Sequence, residues 1–230
     1  MDKIDVFTVV STGDIHQAIN RCYTVQLVVL SDILGSDLEA HRPGIDVGVA
    51  TGVFATFLGS DPIVFGATDD QKERWMTRIA EEGLLMAYGA TEPEAGSDLQ
   101  SVQVSARQDE DGQWRINGVK RFITNGCGDV LLVLSRSEPD RSGGLGLSLF
   151  VCEPGPTVHI RRLEDKLGIH GSPTCEIFFD NTPCRLIGER KRGLAPYVAT
   201  LMNGARIGIA AQSMGIAEAA YRIARDYAAS

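Results

Sequence analysis

Two short segments concentrate the residues whose types and spacing can do chemistry. The first, AYGATEPEAGSD from Ala87 to Asp98, offers the Thr91 hydroxyl to a heterocycle and the backbone and hydroxyl donors of Gly96 and Ser97 to a phosphate. Glu92, Glu94 and Asp98 would repel that phosphate unless they point away, and no GxGxxG or Walker sequence is present. Alone, the segment reads as an ordinary turn rich in Gly, Ser and Asp. The second, NGVKRFITNG from Asn117 to Gly126, sets a strand between two Asn-Gly turns. It is either an edge strand with Phe122 and Ile123 on opposite faces, or a wall placing Phe122 and Thr124 beside a planar ligand. The residues alone favour the edge strand, with Lys120 and Arg121 reaching solvent.

Other chemistries find less support. His16, His41, His159 and His170 fall in no HExxH and no close His/Cys set, so no metal is expected. There is no GxSxG, and Ser172 has no base near it in sequence, so hydrolysis is not supported. Lys+Arg 22 against Asp+Glu 30 gives a net charge of -8, which disfavours nonspecific binding to nucleic acid or an anionic membrane. Cys22, Cys127, Cys152, Cys175 and Cys184 are scattered singly, which points to a reducing compartment. No apolar run reaches the roughly 18 residues of a membrane span, and the start MDKIDVFTVVSTGD is acidic where a signal peptide is basic. A cytoplasmic location is therefore expected.

The elements that must position these segments change period twice along 230 residues. Residues 1–83 read as a helical region: a buried helix within Asp14–Leu38, a break at Arg42–Gly44, a second helix over Val47–Phe57, and a further break marked by Pro62. A third helix starts with Asp69 as N-cap, carries Trp75, Met76, Ile79 and Ala80 on one face, and ends at Gly83. Residues 84–190 read as strands: a hairpin from Val102 through DEDG to WRING, then Val130–Ser135, Leu147–Cys152, Val158–Arg161 and Cys175–Phe179. No helix of crossover length separates them, so an antiparallel barrel or sandwich is expected over a parallel sheet. Residues 191–230 return to helix after Pro196, with an apolar stripe of Val198, Leu201, Ala205, Ile209 and Ala210. The chain stops without Gly, Pro or a polar tail, as if cut inside a helical region.

Five ordered segments then carry a resemblance: DPIVFGATDDQKERW, AYGATEPEAGSD, INGVKRFITNG, EDKLGIHGSPTCEIFFDNTPCRLIGE and MNGARIGIAAQSMGIAEAAY. Together, from about Ala55 to the carboxyl terminus, the chain resembles the flavin-dependent acyl-CoA dehydrogenase family. The resemblance implies an α+β architecture of three parts: an amino-terminal helical domain, a central β-barrel and the start of a carboxyl-terminal helical domain. It implies FAD as cofactor, with Tyr88, Ala90 and Thr91 lining the flavin, Gly96 and Ser97 on the pyrophosphate, and Phe122, Ile123 and Thr124 against the isoalloxazine. Phe122 stands where many relatives have tryptophan. Ser97 is also implied near the thioester arm of an acyl-CoA substrate, together with Arg206 and with Asn203, which replaces a commoner aspartate.

The implied reaction is α,β-dehydrogenation of an acyl-CoA thioester, with an electron-transfer flavoprotein or another acceptor as partner and a homodimer or homotetramer as the full-length assembly. The catalytic base is missing. In most relatives it is a glutamate, here expected beyond residue 230; the alternative position, just before Arg206, holds Ala205. Glu92 and Glu218 occupy neither position and read as structural. The chain is thus expected to be a truncated, by itself inactive member, with a noncatalytic binding or interaction protein as the alternative. Residues 1–230 alone are expected to lose flavin on gel filtration, read by visible absorbance and flavin fluorescence. A stoichiometric, yellow protein would contradict that.

Overall fold

The computed structural model describes residues 47–230, and the helix expected within Asp14–Leu38 lies outside them. The first described element, α1 (Val47–Gly66), runs straight through Pro62 where the sequence suggests a break. An internal proline costs a helix roughly 3 kcal/mol. Burial of Phe57 and Ile63 against Trp75, Met76 and Met86 outweighs it. Locally, the Ser60 hydroxyl donates to the Phe57 carbonyl at 2.8 Å. Gly59 lets this helix press on the next layer, because a Cβ there would collide with the Met86 side chain.

Helix α2 (Asp69–Glu82) is capped one residue earlier than expected. Thr68 is the N-cap: its hydroxyl accepts from the Gln71 backbone N–H, while the Gln71 side chain accepts from Thr68 N at 3.2 Å. Asp69 and Asp70 fall in the first turn, where the helix dipole favours them, and Gly83 ends the helix with φ 66°. Gln71 also donates to the Leu186 carbonyl at 2.8 Å, fastening α2 to the sheet.

Seven strands follow: β1 (Met86–Gly89), β2 (Ser105–Gln108), β3 (Trp114–Thr124), β4 (Val130–Arg136), β5 (Leu147–Cys152), β6 (Val158–Leu163) and β7 (Thr174–Ile187). Pairings β4–β5, β5–β7, β7–β3, β3–β2 and β2–β4 close a ring, so the expected barrel is present; β6 adds to β7. The ladders are antiparallel except where β4 meets β1 over four residues and β2 at one. Strand β1, short and inside the nonperiodic segment, has no counterpart in the sequence reading. The expected turn at Asn117–Gly118 lies within β3 opposite a bulge on β7: Ile116 pairs with Thr182 and Gly118 with Phe179, so Asp180 and Asn181 face Asn117, whose Oδ1 accepts from Asn181 N at 2.8 Å.

Two apolar layers sandwich the barrel wall. Ala87, Val104, Ile116, Leu131, Val133, Phe150 and Phe179 fill the interior, while Val130, Leu132, Leu134, Leu149 and Val151 face α1 and α2 outside. Both faces of β4 and β5 are covered, which is why VLLVL and LSLFV are apolar without alternation.

After an irregular turn over Gly193–Val198, helix α3 (Ala199–Ala229) completes the described chain. Val198, Leu201 and Ala205 are buried as the stripe requires, and Gly208 lies against the Phe54 ring of α1. The stripe stops there. Ile209 is 49% exposed, and Met214, Ile216, Tyr221 and Ile223 are exposed beyond it, because α3 runs past the last described element it packs on.

Truncating Phe150, whose ring lies 5.0 Å from that of Trp114 inside the barrel, tests this core. Phe150→Ala is expected to cost about 3–5 kcal/mol, read as a lower urea midpoint by circular dichroism. An unchanged midpoint would contradict a packed interior.

Candidate functional site

The two chemistry-bearing segments meet on one side of the barrel. Strand β1 ends at Gly89, and the chain then folds into a turn closed by reciprocal backbone hydrogen bonds between Glu92 and Ala95 of 2.9 and 3.2 Å. Beneath that turn sits a charge pair the sequence reading did not expect. Lys120 is completely buried, contrary to its expected exposure, and its ammonium donates to Glu92 Oε1 and to the Ala90 carbonyl, each at 2.8 Å. Glu92 is filled on every side, since it also accepts from Gln103 N at 2.7 Å and Val104 N at 2.9 Å. Burial pulls the Lys120 pKa down to about 8, and Glu92 pulls the other way. The structural role read for Glu92 matches this arrangement. Glu218 is likewise paired, with Arg222 at 2.5 Å on α3.

A second bulge aims the wall. Between the pairs Lys120–Ile177 and Ile123–Cys175, β3 carries two residues against one on β7. Phe122, the second of them, takes φ 59°, a backbone conformation rare for a bulky side chain. The bulge turns its ring outward, 54% exposed, under the Arg121 guanidinium at 4.6 Å. It also frees Arg121 N from the β7 ladder to donate to the Thr91 carbonyl at 3.0 Å. Ala90 and Thr91 are thereby held beside Arg121 and Phe122.

Just past the bulge, Asn125 anchors the wall to the helices. Its amide is buried and donates to the Gly52 carbonyl of α1 at 2.6 Å, while its backbone N–H donates to Pro173 O at 2.8 Å. As an Asn-Gly pair it reads from sequence as a turn, and nothing local marks the buried role. Lys120 does have a signal: with Ile116 and Gly118 it alternates toward the interior of β3.

The structure thus brings Ala90, Thr91, Phe122, Ile123 and Thr124 to one wall, with Gly96 and Ser97 exposed on the adjoining turn. Ile123 is buried beneath it as barrel core. The Thr91, Ser97 and Thr124 hydroxyls make no hydrogen bond among the described residues. A Cβ at Gly96 would meet nothing within 4 Å. Tyr88 differs from the rest, because its ring packs toward the helix layer and its hydroxyl is buried without a partner among the described residues. Burial pushes that phenol well above its ordinary pKa. Asn203 and Arg206 lie apart on the exposed face of α3, Arg206 donating to Asn203 at 3.3 Å; Ala205 between them is buried.

Beyond Ser97 the turn borders an open polar groove of about 760 Å³ lined by Asp98, Gln100, Ser101, Arg136, Arg141 and Gly143. The Arg136 guanidinium pins its two walls together through the carbonyls of Gln100, Val102 and Arg141 at 2.7–2.9 Å. Among the described residues no group of three or more His, Cys, Asp and Glu is placed to hold a metal ion, and no helix is long and apolar enough to cross a membrane.

An exposed aromatic ring flanked by unsatisfied hydroxyls and an open glycine turn is a platform suited to a planar ligand bearing phosphate. Comparison with known proteins adds the family to this description. Residues 87–182 match the family model for the acyl-CoA dehydrogenase middle domain. The short-chain-specific acyl-CoA dehydrogenase of Megasphaera elsdenii is 39% identical over 205 residues, covering 86% of this chain and 52% of that one. The structure of butyryl-CoA dehydrogenase from Megasphaera elsdenii superposes with a TM-score of 0.75 at 30% identity, covering 92% and 62% of the two chains. The structure of PigA with FAD and proline gives 0.72 at 27% identity, covering 86% and 49%. The chain belongs to the acyl-CoA dehydrogenase family, and it spans about half the length of the curated relatives it matches.

Lys120→Met would strand Glu92 without its counter-charge, at an expected cost of about 3–5 kcal/mol. The same substitution should speed hydrogen exchange at Gln103 and Val104, whose N–H groups Glu92 holds. A loss below about 1 kcal/mol, the range of exposed pairs, would contradict the role given to the buried pair.

Proposed function

We propose that the protein carrying these residues binds FAD and uses it to dehydrogenate an acyl-CoA thioester to a trans-2-enoyl-CoA. The observation that carries this reading is the wall itself, where Thr91, Phe122 and Thr124 converge beside the open turn of Gly96 and Ser97. These residues fit the cofactor. Phe122 offers an apolar face to the isoalloxazine, Thr91 and Thr124 offer hydroxyls at its edge, and Gly96 and Ser97 offer donors to the pyrophosphate. Tyr88 and Ala90 contribute through the strand end that sets Thr91 in place, and Ile123 supports the ring from below. Bound there, FAD would accept the β hydrogen as hydride.

The proton from the α carbon needs a carboxylate. Glu92 is already saturated by Lys120 and two backbone N–H groups, and Ala205 has no acid-base chemistry, so the base is assigned to a glutamate outside residues 1–230. Asn203 and Arg206, exposed on the surface of α3, are assigned with Ser97 to the acyl-CoA, and an electron-transfer flavoprotein or another acceptor to reoxidation. A cytoplasmic homodimer or homotetramer completes the proposal. A noncatalytic binding protein is the second reading, favoured by Ala205 alone.

The test compares residues 1–230 with the natural reading frame that contains them, under excess FAD, with short-, medium-, long- and branched-chain acyl-CoAs and an artificial electron acceptor. Turnover is expected only in a chain that also supplies the base. In that active protein Thr91→Val should weaken FAD binding about 2–10-fold, the worth of one hydrogen bond. Asn203→Ala should raise KM for acyl-CoA and leave FAD binding unchanged. Equal turnover by both chains would overturn the missing base, and inactivity of both would favour the binding protein.

A further inference from the structure

Four cysteines fall among the described residues, all as free thiols, and their surroundings differ sharply. Cys152 and Cys184 both point into the barrel interior, and the β5–β7 register that pairs Val151 with Arg185 brings them opposite one another. Both are buried, out of reach of dissolved reagents. Cys127 is exposed, on the tight turn that follows β3. Cys175, on β7, is buried directly behind it.

The turn geometry brings this second pair together. Gly126 N donates to the Ile123 carbonyl at 3.1 Å and Gly128 N to the Asn125 carbonyl at 2.7 Å, which curls the chain back over β7. Ile123 pairs with Cys175 across the ladder, and a Cβ built on Gly126 would lie only 2.6 Å from Cys175 Cβ. Consecutive Cα atoms are about 3.8 Å apart, so the next residue, Cys127, lies one step along the turn from that contact. Cys127 also acts electrostatically on the Cys175 thiol, pushing it up together with burial. Neither thiol has a part in the proposed dehydrogenation, and the pair stands whether or not flavin binds.

We propose that Cys127 and Cys175 are an oxidation site for hydroperoxides, at which the exposed thiol is attacked first and the buried thiol closes an intramolecular disulfide. In the first step the Cys127 sulfur attacks the terminal peroxide oxygen, the O–O bond breaks, and the Cys127 proton leaves with the departing oxygen, as water from hydrogen peroxide or as the alcohol from an organic hydroperoxide, with Cys127 as a sulfenic acid. In the second the Cys175 sulfur attacks the Cys127 sulfur, the S–O bond breaks, and the Cys175 proton leaves with the hydroxyl as water. Two thiols lose two electrons and one peroxide gains them. Burial pushes the Cys175 thiol up to about 12, so it enters the second step protonated and is inert until Cys127 presents an electrophilic sulfur. The bridge would fasten the turn after Thr124 to β7, immediately beside the wall.

The experiment treats the whole 230-residue chain with hydrogen peroxide, then counts thiols under denaturing conditions and maps peptides by mass spectrometry. Two of its five thiols are expected to disappear in a form restored by dithiothreitol, with Cys127 and Cys175 in one linked peptide pair. Cys127→Ser, a surface change, should abolish that loss. Cys175→Ser should let a sulfenic acid on Cys127 accumulate to dimedone trapping, where the unaltered chain shows little. Linkage of Cys127 to Cys22 or to a second chain, a Cys152–Cys184 bridge formed first, or Cys127 oxidised alone in the unaltered chain would each overturn the proposal.

Discussion

The ion pair of Lys120 and Glu92 is the constraint on which the rest of the site depends. A lysine with no exposed surface is tolerable in a barrel interior only if its ammonium finds acceptors and its charge finds its opposite. Both conditions are met by the turn after β1, whose Ala90 carbonyl and Glu92 carboxylate take the ammonium. Glu92 in turn gathers the backbone of Gln103 and Val104 at the start of the hairpin. One buried pair therefore joins β1, β2 and β3 and sets the position of Thr91. An apolar substitute for Lys120 would fill the space but would leave the Ala90 carbonyl and the Glu92 carboxylate without the ammonium they share.

Around that pair, regular structure is broken where the surface must be shaped. The bulge at Arg121–Phe122 interrupts the longest ladder in the barrel, and Phe122 accepts an unfavourable backbone angle as a result. Such strain persists only where neighbours over-determine it, and here they do. Lys120 is locked inward on one side, Ile123 is packed in the core on the other, and Arg121 N is claimed by Thr91. An aromatic ring is the outcome, presented to the outside beside hydroxyls that make no hydrogen bond among the described residues. Rigid layers on both faces of β4 and β5 give the wall a base that cannot shift with it.

Regular elements with one strong periodic signal were legible in the sequence. Leu147–Cys152 matches β5 residue for residue, and Trp75, Met76 and Ile79 mark the buried face of α2. What escaped depended on tertiary partners. Pro62 reads as a break until the contacts of Phe57 and Ile63 are known, and Asn117–Gly118 reads as a turn until Asn181 is seen to fill the gap opposite. The four residues of β1 carry too little pattern to announce a strand. Within the site, residue types single out the two segments, and the idea that they share one ligand comes from family resemblance. Lys120 was misread because lysine so rarely goes inside, although its place in the inward alternation with Ile116 pointed there. Asn203 and Arg206, read from resemblance alone, lie on a surface that no described contact joins to the wall.

The central claim is that one contiguous wall, held by the buried pair, receives the flavin. Amide chemical-shift mapping of the isotopically labelled 230-residue chain during titration with FAD tests it most directly, since it detects weak as well as tight binding. The account predicts shifts concentrated at Thr91, Gly96, Ser97, Phe122 and Thr124, with Asn203 and Arg206 unmoved. Shifts centred on α3 or on β6, with those five amides unchanged at saturating FAD, would contradict it.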